Sequence, residues 1–586
     1  MAANERILAA DPSILSTAWN RTRIGSFLSQ PVSWVFLFVG AIIGFLSLYP
    51  TFFLFYGSVM DAPLGVPGHF TLQNYVRAFG DPEAYPLLLN SFIFGIGAAG
   101  LSVIFALALA WITIRTNAPF RRLFELTAII PNILPPILVS ISWVMLLNPS
   151  NGLINGLFVK ILGLEKGPFN IYSMAGLIFV EALILTPLAF LIIAAALKSM
   201  DPSLEESAKT LGSGELGVMS RITFPLMRPA ILAAATLNFV RAVESFDTPA
   251  IIALPARIEV FTTKIWREAL GSFPTNHNLA ATYGVGILMI ALLFVYLYRR
   301  FTSQVESFST VTGKGFRPHQ IDLGKWKYLA SAVAFLLLVL LVVLPILVLL
   351  LVAILPYYHV PTWHTWNNLT LDHFRYIWAT PRVHRAFANS LFLALLGASV
   401  CMLLASLASY ITVRTKLAGR GILEGLVFIP WAFPGTALAL GLLWAYIDFP
   451  IPVYATIWII LIAYVTRFLP YGMRAVSSTI IQVHKELEEA SVACGAGFLA
   501  TFRRVLIPMM RPGVMAGWII LVTIFMREFS ATLFLYSPGS EPLGPLLYFL
   551  YLDGMRGRVA AIGLVISVIS VILIAIAQRY SHWETK

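Results

Sequence analysis

An all-α polytopic membrane protein, with about twelve transmembrane helices in two tandem six-helix repeats, is the fold the sequence predicts, and three observations predict it. Hydrophobic residues make up 58% of the 586 and charged residues only 12%, the inverse of a water-facing surface. Apolar runs reach the length a bilayer demands: residues 329–355 carry no charge, and about 20 apolar residues cross a hydrocarbon core. Finally, one polar segment is written twice. Leu204-Glu205-Glu206-Ser207-Ala208, Gly212 and Ile222-Thr223-Phe224-Pro225 return 283 residues later as Leu487-Glu488-Glu489-Ala490-Ser491, Gly495 and Val505-Leu506-Ile507-Pro508.

In order along the chain, residues 1–32 are mixed and polar and read as a cytoplasmic tail. The first span is too long for a signal peptide and has no small-residue cleavage site, so it is expected to remain as an anchor. Spans are expected near 33–60, 88–114, 122–148, 173–199, 229–252 and 279–300, then near 328–355, 388–413, 423–447, 453–476, 513–535 and 560–580. Pro131, Pro135 and Pro136, and later Pro430 and Pro434, mark the third span of each set as kinked or short. The resulting division is a tail (1–32), a first span with outer loop (33–87), a first transmembrane domain (88–300) and a cytoplasmic linker (301–327), then a seventh span with outer loop (328–387), a second transmembrane domain (388–580) and a cytoplasmic tail (581–586).

Lys and Arg near span ends are retained on the cytoplasmic side. With the N-terminus inside, the inward segments hold 26 of the 40 Lys and Arg and the outward ones 11. Both termini and both polar segments are therefore expected to face the cytoplasm. The net charge of +12 follows from this topology, and no basic stripe with interleaved aromatics marks a nucleic-acid surface. Cys401 falls in a span and Cys494 on the inner side, which argues against a disulfide between them.

The duplication extends beyond the polar segment. Asn90-Ser91-Phe92 matches Asn389-Ser390-Leu391, Arg115-Thr116 matches Arg414-Thr415, and Ile130-Pro131 and Pro135 match Ile429-Pro430 and Pro434, all 299 residues apart. The fall from 299 to 283 places a 16-residue shortening after the third span, where the Gly- and Asn-rich loop 148–171 shrinks to 448–453. An even number of spans per half gives both repeats one orientation, related by an axis along the membrane normal, with a pathway between them. In the linker, Gly313-Lys314-Gly315 imitates a phosphate loop but has Phe308 for the leading Gly and Gly315 for Ser or Thr, so no nucleotide site is encoded.

Each polar segment reads as a short helix followed by an elbow. Ser203 is expected as the N-cap with Glu206 reaching back, although the second copy has Glu486 in place of Ser203 and keeps both acids. Gly212 and Gly495 permit a left-handed exit, and Pro225 and Pro508 are expected to break the next helix before a span begins. Such a helix, with acids at its start and Leu211 or Phe224 on its apolar side, can fill a groove in a soluble partner.

The pattern Glu-Ala-Ala, three residues, Gly, nine residues, Ile-x-Leu-Pro resembles the signature of permease subunits of bacterial binding-protein-dependent ABC importers of the type I (MetI-like) fold. Ser207 and Phe224 depart from it in the first copy, and Ser491, Val505 and Ile507 in the second. The resemblance implies an inner-membrane, multi-pass permease that is not itself an enzyme. It implies coupling residues Glu205, Glu206, Ala208, Gly212 and Pro225 with Glu488, Glu489, Ala490, Gly495 and Pro508. Its implied partners are two copies of a cytoplasmic ATPase subunit, which would bind the ATP and Mg, and one periplasmic or lipid-anchored binding protein; no cofactor is implied in this chain. The fused form, with Arg241-Ala242-Val243-Glu244-Ser245-Phe246 and Met526-Arg527-Glu528-Phe529-Ser530-Ala531-Thr532, looks most like iron(III) permeases. Thiamine, a polyamine or a phosphonate remain as alternative cargoes, and an ATP-independent channel or an intramembrane enzyme as other classes; an enzyme would need a constellation such as His-Glu-x-x-His, which the sequence lacks.

Charges within spans are costly and usually face a pathway or a partner. Glu181 and Arg467 lie on pseudo-equivalent spans and are expected to meet across the axis. Arg241, Glu244 and Asp247 share one helical face by spacing, with Arg527 and Glu528 in the corresponding place. These seven are expected to line the route or its gate, the alternative being static ion pairs. His359, His364, His373 and His384 crowd one outer loop, but their spacing fits no metal template.

Overall fold

The computed structural model describes residues 31–127, 131, 134–200, 202–306, 321–484 and 486–582. Residues 1–30 of the tail, residues 307–320 of the linker with Gly313-Lys314-Gly315, and residues 583–586 lie outside the described residues. Ten helices among the described residues are long and apolar enough to cross a bilayer. They are span 1 (Ser33–Ser58), span 2 (Ala84–Arg115), span 4 (Met174–Ser199), span 5 (Met219–Glu244) and span 6 (His277–Leu297), then span 7 (Trp326–Ile354), span 8 (Pro381–Arg414), span 10 (Ile457–Gln482), span 11 (Arg503–Met526) and span 12 (Arg556–Ile576). The third element of each half is broken at its prolines. Span 9 is Arg420–Trp431 and Gly435–Tyr446, bent by 107°, and its counterpart, span 3, is Arg121–Thr127 and Pro136–Leu147.

Spans 5 and 11 depart from expectation. They start about ten residues early, because Pro225 and Pro508 do not stop the helix, and they end at Glu244 and Met526. A proline lacks an N–H and its ring clashes with the carbonyl four residues back. Here a five-residue π turn, Met219–Thr223 or Phe502–Leu506, precedes each proline and absorbs that clash by widening the helix. The same device, Val339–Val343, precedes Pro345 in span 7.

Spans 2, 4 and 5 pack as a three-helix core, repeated by spans 8, 10 and 11, with span 6 on span 5 and span 12 on span 11. The first span of each half, by contrast, reaches across. Span 1 packs on spans 8 and 9 as well as on span 6, with Ser47 donating to the Leu426 carbonyl at 2.8 Å and Tyr49 to Ala445 at 3.1 Å. Span 7 packs on both pieces of span 3, and Ser331 donates to the Pro119 carbonyl at 3.2 Å. Lipid offers no hydrophobic drive between helices, so close fit and polar contacts hold such packing. Gly441 shows how close: a Cβ there would lie 2.4 Å from the carbonyl oxygen of Pro50.

Candidate functional site

The two polar segments form matching elbows. The helices Pro202–Thr210 and Glu486–Ala493 each leave through a glycine, Gly212 or Gly495, both with φ of +84°. After Gly212 the Ser213 amide bonds back to the Ala208 carbonyl at 3.0 Å, and after Gly495 the Ala496 amide bonds to Ser491 at 3.1 Å. This left-handed exit satisfies carbonyls that the helix end would leave bare. No atom lies within 4 Å of where a Cβ would stand, so backbone conformation, and not space, calls for glycine. The first helix begins at Pro202, so Ser203 lies inside it and is not its cap; proline is favoured at a first helical position, where no N–H is needed.

The paired acids do different things. Glu206 and Glu489 are exposed. Glu205 is buried, with Oε2 2.9 Å from Arg115 Nη1 and Oε1 accepting from the Thr223 hydroxyl at 2.8 Å. In the second copy Glu488 Oε1 lies 3.1 Å from Arg414 Nε. Ala208 is half-buried and Ala490 exposed; Leu204 and Leu211 of the first elbow and Leu487 of the second are exposed. Arg115 and Arg414 were not among the residues expected at the elbow, although their duplication was the available signal. Beside them, Asn117 donates to Asp322 at 2.5 Å. The Gly324 amide, together with Asn117, holds the Asp322 carboxyl below its ordinary range.

The second site lies where the halves meet. Phe246 and Phe529 stack with centroids 5.7 Å apart and planes 14° from parallel, and the Ser530 hydroxyl donates to Asp247 Oδ2 at 2.9 Å. Both contacts join residues 283 apart. A residue touches its own counterpart only on the axis of a two-fold arrangement, so these contacts mark the pseudo-axis. The rings are fully buried, whereas Arg241, in the last turn of span 5, is exposed and donates across to the Tyr471 hydroxyl at 2.8 Å. Phe246 also meets Phe534, and Phe529 meets Tyr548. These outer rings border a cavity of about 660 Å³ that also takes in Trp266, Arg382, Arg385 and Glu541.

The expected charges assemble differently from the spacing argument. Glu181 accepts from Ser245 at 3.1 Å in its own half, while Arg467 donates to Glu528 at 3.3 Å in the other. The expected Glu181–Arg467 contact is thus replaced by two pairings that stay within their own halves. Glu528 also accepts from the amides of Ala531 and Thr532 and from the Thr532 hydroxyl. The acid has changed places between the repeats: Glu181 corresponds to Tyr464 and Ser245 to Glu528, and Tyr464 bonds Thr532 at 3.0 Å. Arg241, Glu244 and Asp247 do not share one helical face, because the helix ends at Glu244 and Ser245 is extended. Arg527 likewise stands just past the end of span 11. Glu244 Oε1 is buried without a hydrogen-bond partner among the described residues.

Among the described residues no group of three His, Cys, Asp or Glu is placed to hold a metal ion. His359 bonds the Tyr357 carbonyl and Thr365, and His373 bonds the Leu355 carbonyl. Cys401 is buried and Cys494 exposed, and both are free.

Comparison with known proteins matches residues 102–307 and 401–583 to one family, the binding-protein-dependent transport system inner membrane component. The chain is similar to the ferric transport system permease protein FbpB of Actinobacillus pleuropneumoniae, 27% identical over 91% of this chain and 76% of that one. It is also similar to the putative ferric transport system permease protein FbpB 1 of Haemophilus influenzae, 26% identical over 84% and 76%. The spermidine/putrescine transport system permease protein PotC of Escherichia coli is 24% identical over 38% of this chain and 83% of its own length. A solved bacterial alginate ABC transporter bound to its periplasmic protein aligns with 46% of this chain and 93% of its own, at 19% identity and a TM-score of 0.38.

Proposed function

The chain belongs to the family of binding-protein-dependent transport system inner membrane components, and from that membership we propose that it is the permease of an ATP-driven ferric iron importer, with both halves of the pathway in one polypeptide. The duplicated elbow carries the reading: two identical left-handed exits, each preceded by an exposed acid, Glu206 or Glu489, beside exposed leucines. Two such surfaces suit two copies of one cytoplasmic ATPase subunit. Those subunits bind ATP and Mg and hydrolyse the nucleotide; this chain does no covalent chemistry. Residues 88–300 and 388–580 are the two transmembrane domains, and both termini and the elbows face the cytoplasm of a bacterial cell, as the Lys and Arg distribution supports.

In the cycle proposed, a periplasmic or lipid-anchored binding protein delivers cargo to the outer face. ATP draws the cytoplasmic subunits together, the elbows follow, and the halves rock about the axis. Phe246 and Phe529, latched by Asp247 and Ser530, seal that axis, and Glu181, Arg241, Glu244, Arg467, Arg527 and Glu528 hold or line the route around the seal. ATP binding moves the equilibrium only by binding one conformation more tightly than the other, so coupling must run through the elbow contacts. Iron as cargo rests on the two FbpB relatives, whose similarity covers most of the chain.

The test reconstitutes the permease with its ATPase subunits and binding protein in vesicles and measures ATP-dependent uptake, with ferric iron, thiamine and spermidine as competitors. Competition by ferric iron alone is expected, together with loss of ATPase association in Glu206→Lys/Glu489→Lys. Uptake without an ATPase, or competition by thiamine or spermidine instead, would overturn the reading.

A further inference from the structure

The exposed residues of each elbow can receive a displacement, but they do not belong to a span. Arg115 does: it is the final residue of span 2 and its side chain is buried. One arm of its guanidinium holds Glu205 of the elbow at 2.9 Å, and the other reaches the Leu197 carbonyl, in the last turn of span 4, at 3.4 Å. Arg414 repeats the junction at the end of span 8. It lies 3.1 Å from Glu488 and donates to the Ile480 carbonyl at 2.9 Å and the Val483 carbonyl at 2.5 Å. Leu197 and Ile480 are themselves counterparts, 283 residues apart. The two junctions therefore correspond position by position, and neither arginine belongs to the duplicated polar segment. The first runs through a hydrogen bond to Glu205, the second through an ion pair in which Arg414 Nε and Glu488 Oε1 make no hydrogen bond among the described residues.

We infer that Arg115 and Arg414 are positioning residues of the transport cycle, each coupling a moving elbow to the inner ends of two core helices at once. The inference rests on the elbow function proposed above. Arginine suits the task because its planar fork bonds in two directions without turning, which a lysine ammonium on a flexible stem cannot match. The two junctions differ in tightness. Thr223 gives Glu205 a second bond, whereas its counterpart Leu506 has no donor side chain. The Glu205 side chain is 6% exposed and that of Glu488 20%. The elbow side is the tighter at the first junction, whereas Arg414, with two short carbonyl bonds against one longer one, is the tighter on the core side. An arginine-to-lysine change, which gives up core-side bonds, therefore disturbs coupling at least as much at 414 as at 115.

The experiment uses the whole complex in vesicles, with ferric iron presented by the binding protein as probe, and reads iron imported per ATP hydrolysed alongside thermal unfolding. Arg115→Lys keeps the charge and can hold Glu205 but not Leu197 as well. Hydrolysis is expected to continue while iron per ATP falls about tenfold, the worth of one charge-assisted hydrogen bond; Arg414→Lys, which gives up two carbonyl bonds, is expected to fall at least as far. A wild-type ratio in Arg115→Lys overturns the inference, as does a loss of uptake and hydrolysis in equal proportion, which would mark a merely structural role. If Arg115→Lys fails to accumulate, Arg414→Lys carries the same test at the more exposed junction. A wild-type complex that imports no iron, or imports it without ATP, would instead refute the proposed function and this inference with it.

Discussion

Replacing Phe246 by alanine removes two aromatic contacts, the stack on Phe529 and the edge contact with Phe534. Each such pair contributes about 0.5–1.5 kcal/mol beyond burial. Rocking the halves apart must separate Phe246 from its counterpart, so the stack's share of that energy, and part of the rest, favours only the sealed arrangement. A loss of about 1–3 kcal/mol raises the unsealed population about fivefold to about 140-fold, since about 1.4 kcal/mol is tenfold. The assay is passive entry of a metal ion into vesicles that hold the permease without ATPase or ATP and enclose a metal-quenched dye. Wild type is expected to be tight, Phe246→Ala leaky, and Phe246→Leu intermediate. Phe529→Ala, which loses Phe246 and Tyr548, is expected to match Phe246→Ala. Vesicles bearing the double alanine variant that stay as tight as wild type would refute the claim that these rings seal the axis.

Three further outcomes follow from the geometry. Glu205→Ala leaves the buried Arg115 charge without its acid and should cost about 3–5 kcal/mol; Glu488→Ala, at a site 20% exposed, should cost less, and Glu206→Ala nothing measurable, all read by thermal unfolding in detergent. Gly212→Ala should destabilise the elbow by about 1 kcal/mol through its left-handed backbone, with Gly212→Asn milder; equal effects on ATPase affinity would refute that account. Gly441→Ala drives a Cβ into the Pro50 carbonyl and should cost about 1–3 kcal/mol, lowering the yield of folded protein, whereas Gly40→Ala, with nothing within 4 Å, should be silent.

Class, repeat structure and elbow were legible because each is local. A run of apolar residues, a glycine after an acid pair and a constant offset need no knowledge of what packs where. The pairing of charges was not legible, for a physical reason visible in span 5. The π turn at Met219–Thr223 admits Pro225 into span 5, and at the other end the chain turns extended at Ser245, so the helix ends at Glu244 and not near residue 252. Asp247 then falls beyond the break at Ser245–Phe246, at the start of the next helical piece and bonded by Ser530, instead of on the helical face of Arg241. Glu181 likewise found Ser245 on that newly placed loop. The role of Glu205 was half visible: its acid pair was read as one docking surface, and the partner that buries one member, Arg115, lies 90 residues earlier. The reach of spans 1 and 7 across to the other half leaves no mark on hydropathy, because a helix is equally apolar whichever neighbour it has.

The contact between Asp247 and Ser530 also bears on why one polypeptide carries both repeats. Two copies of a single gene product, related by strict symmetry, would be obliged to set like against like at that spot, and two aspartates at such range repel unless they share a proton. Joining the copies end to end lifts the obligation. Each side can then drift on its own, so that an anion faces a neutral hydroxyl, and a glutamate on one flank answers a tyrosine on the other.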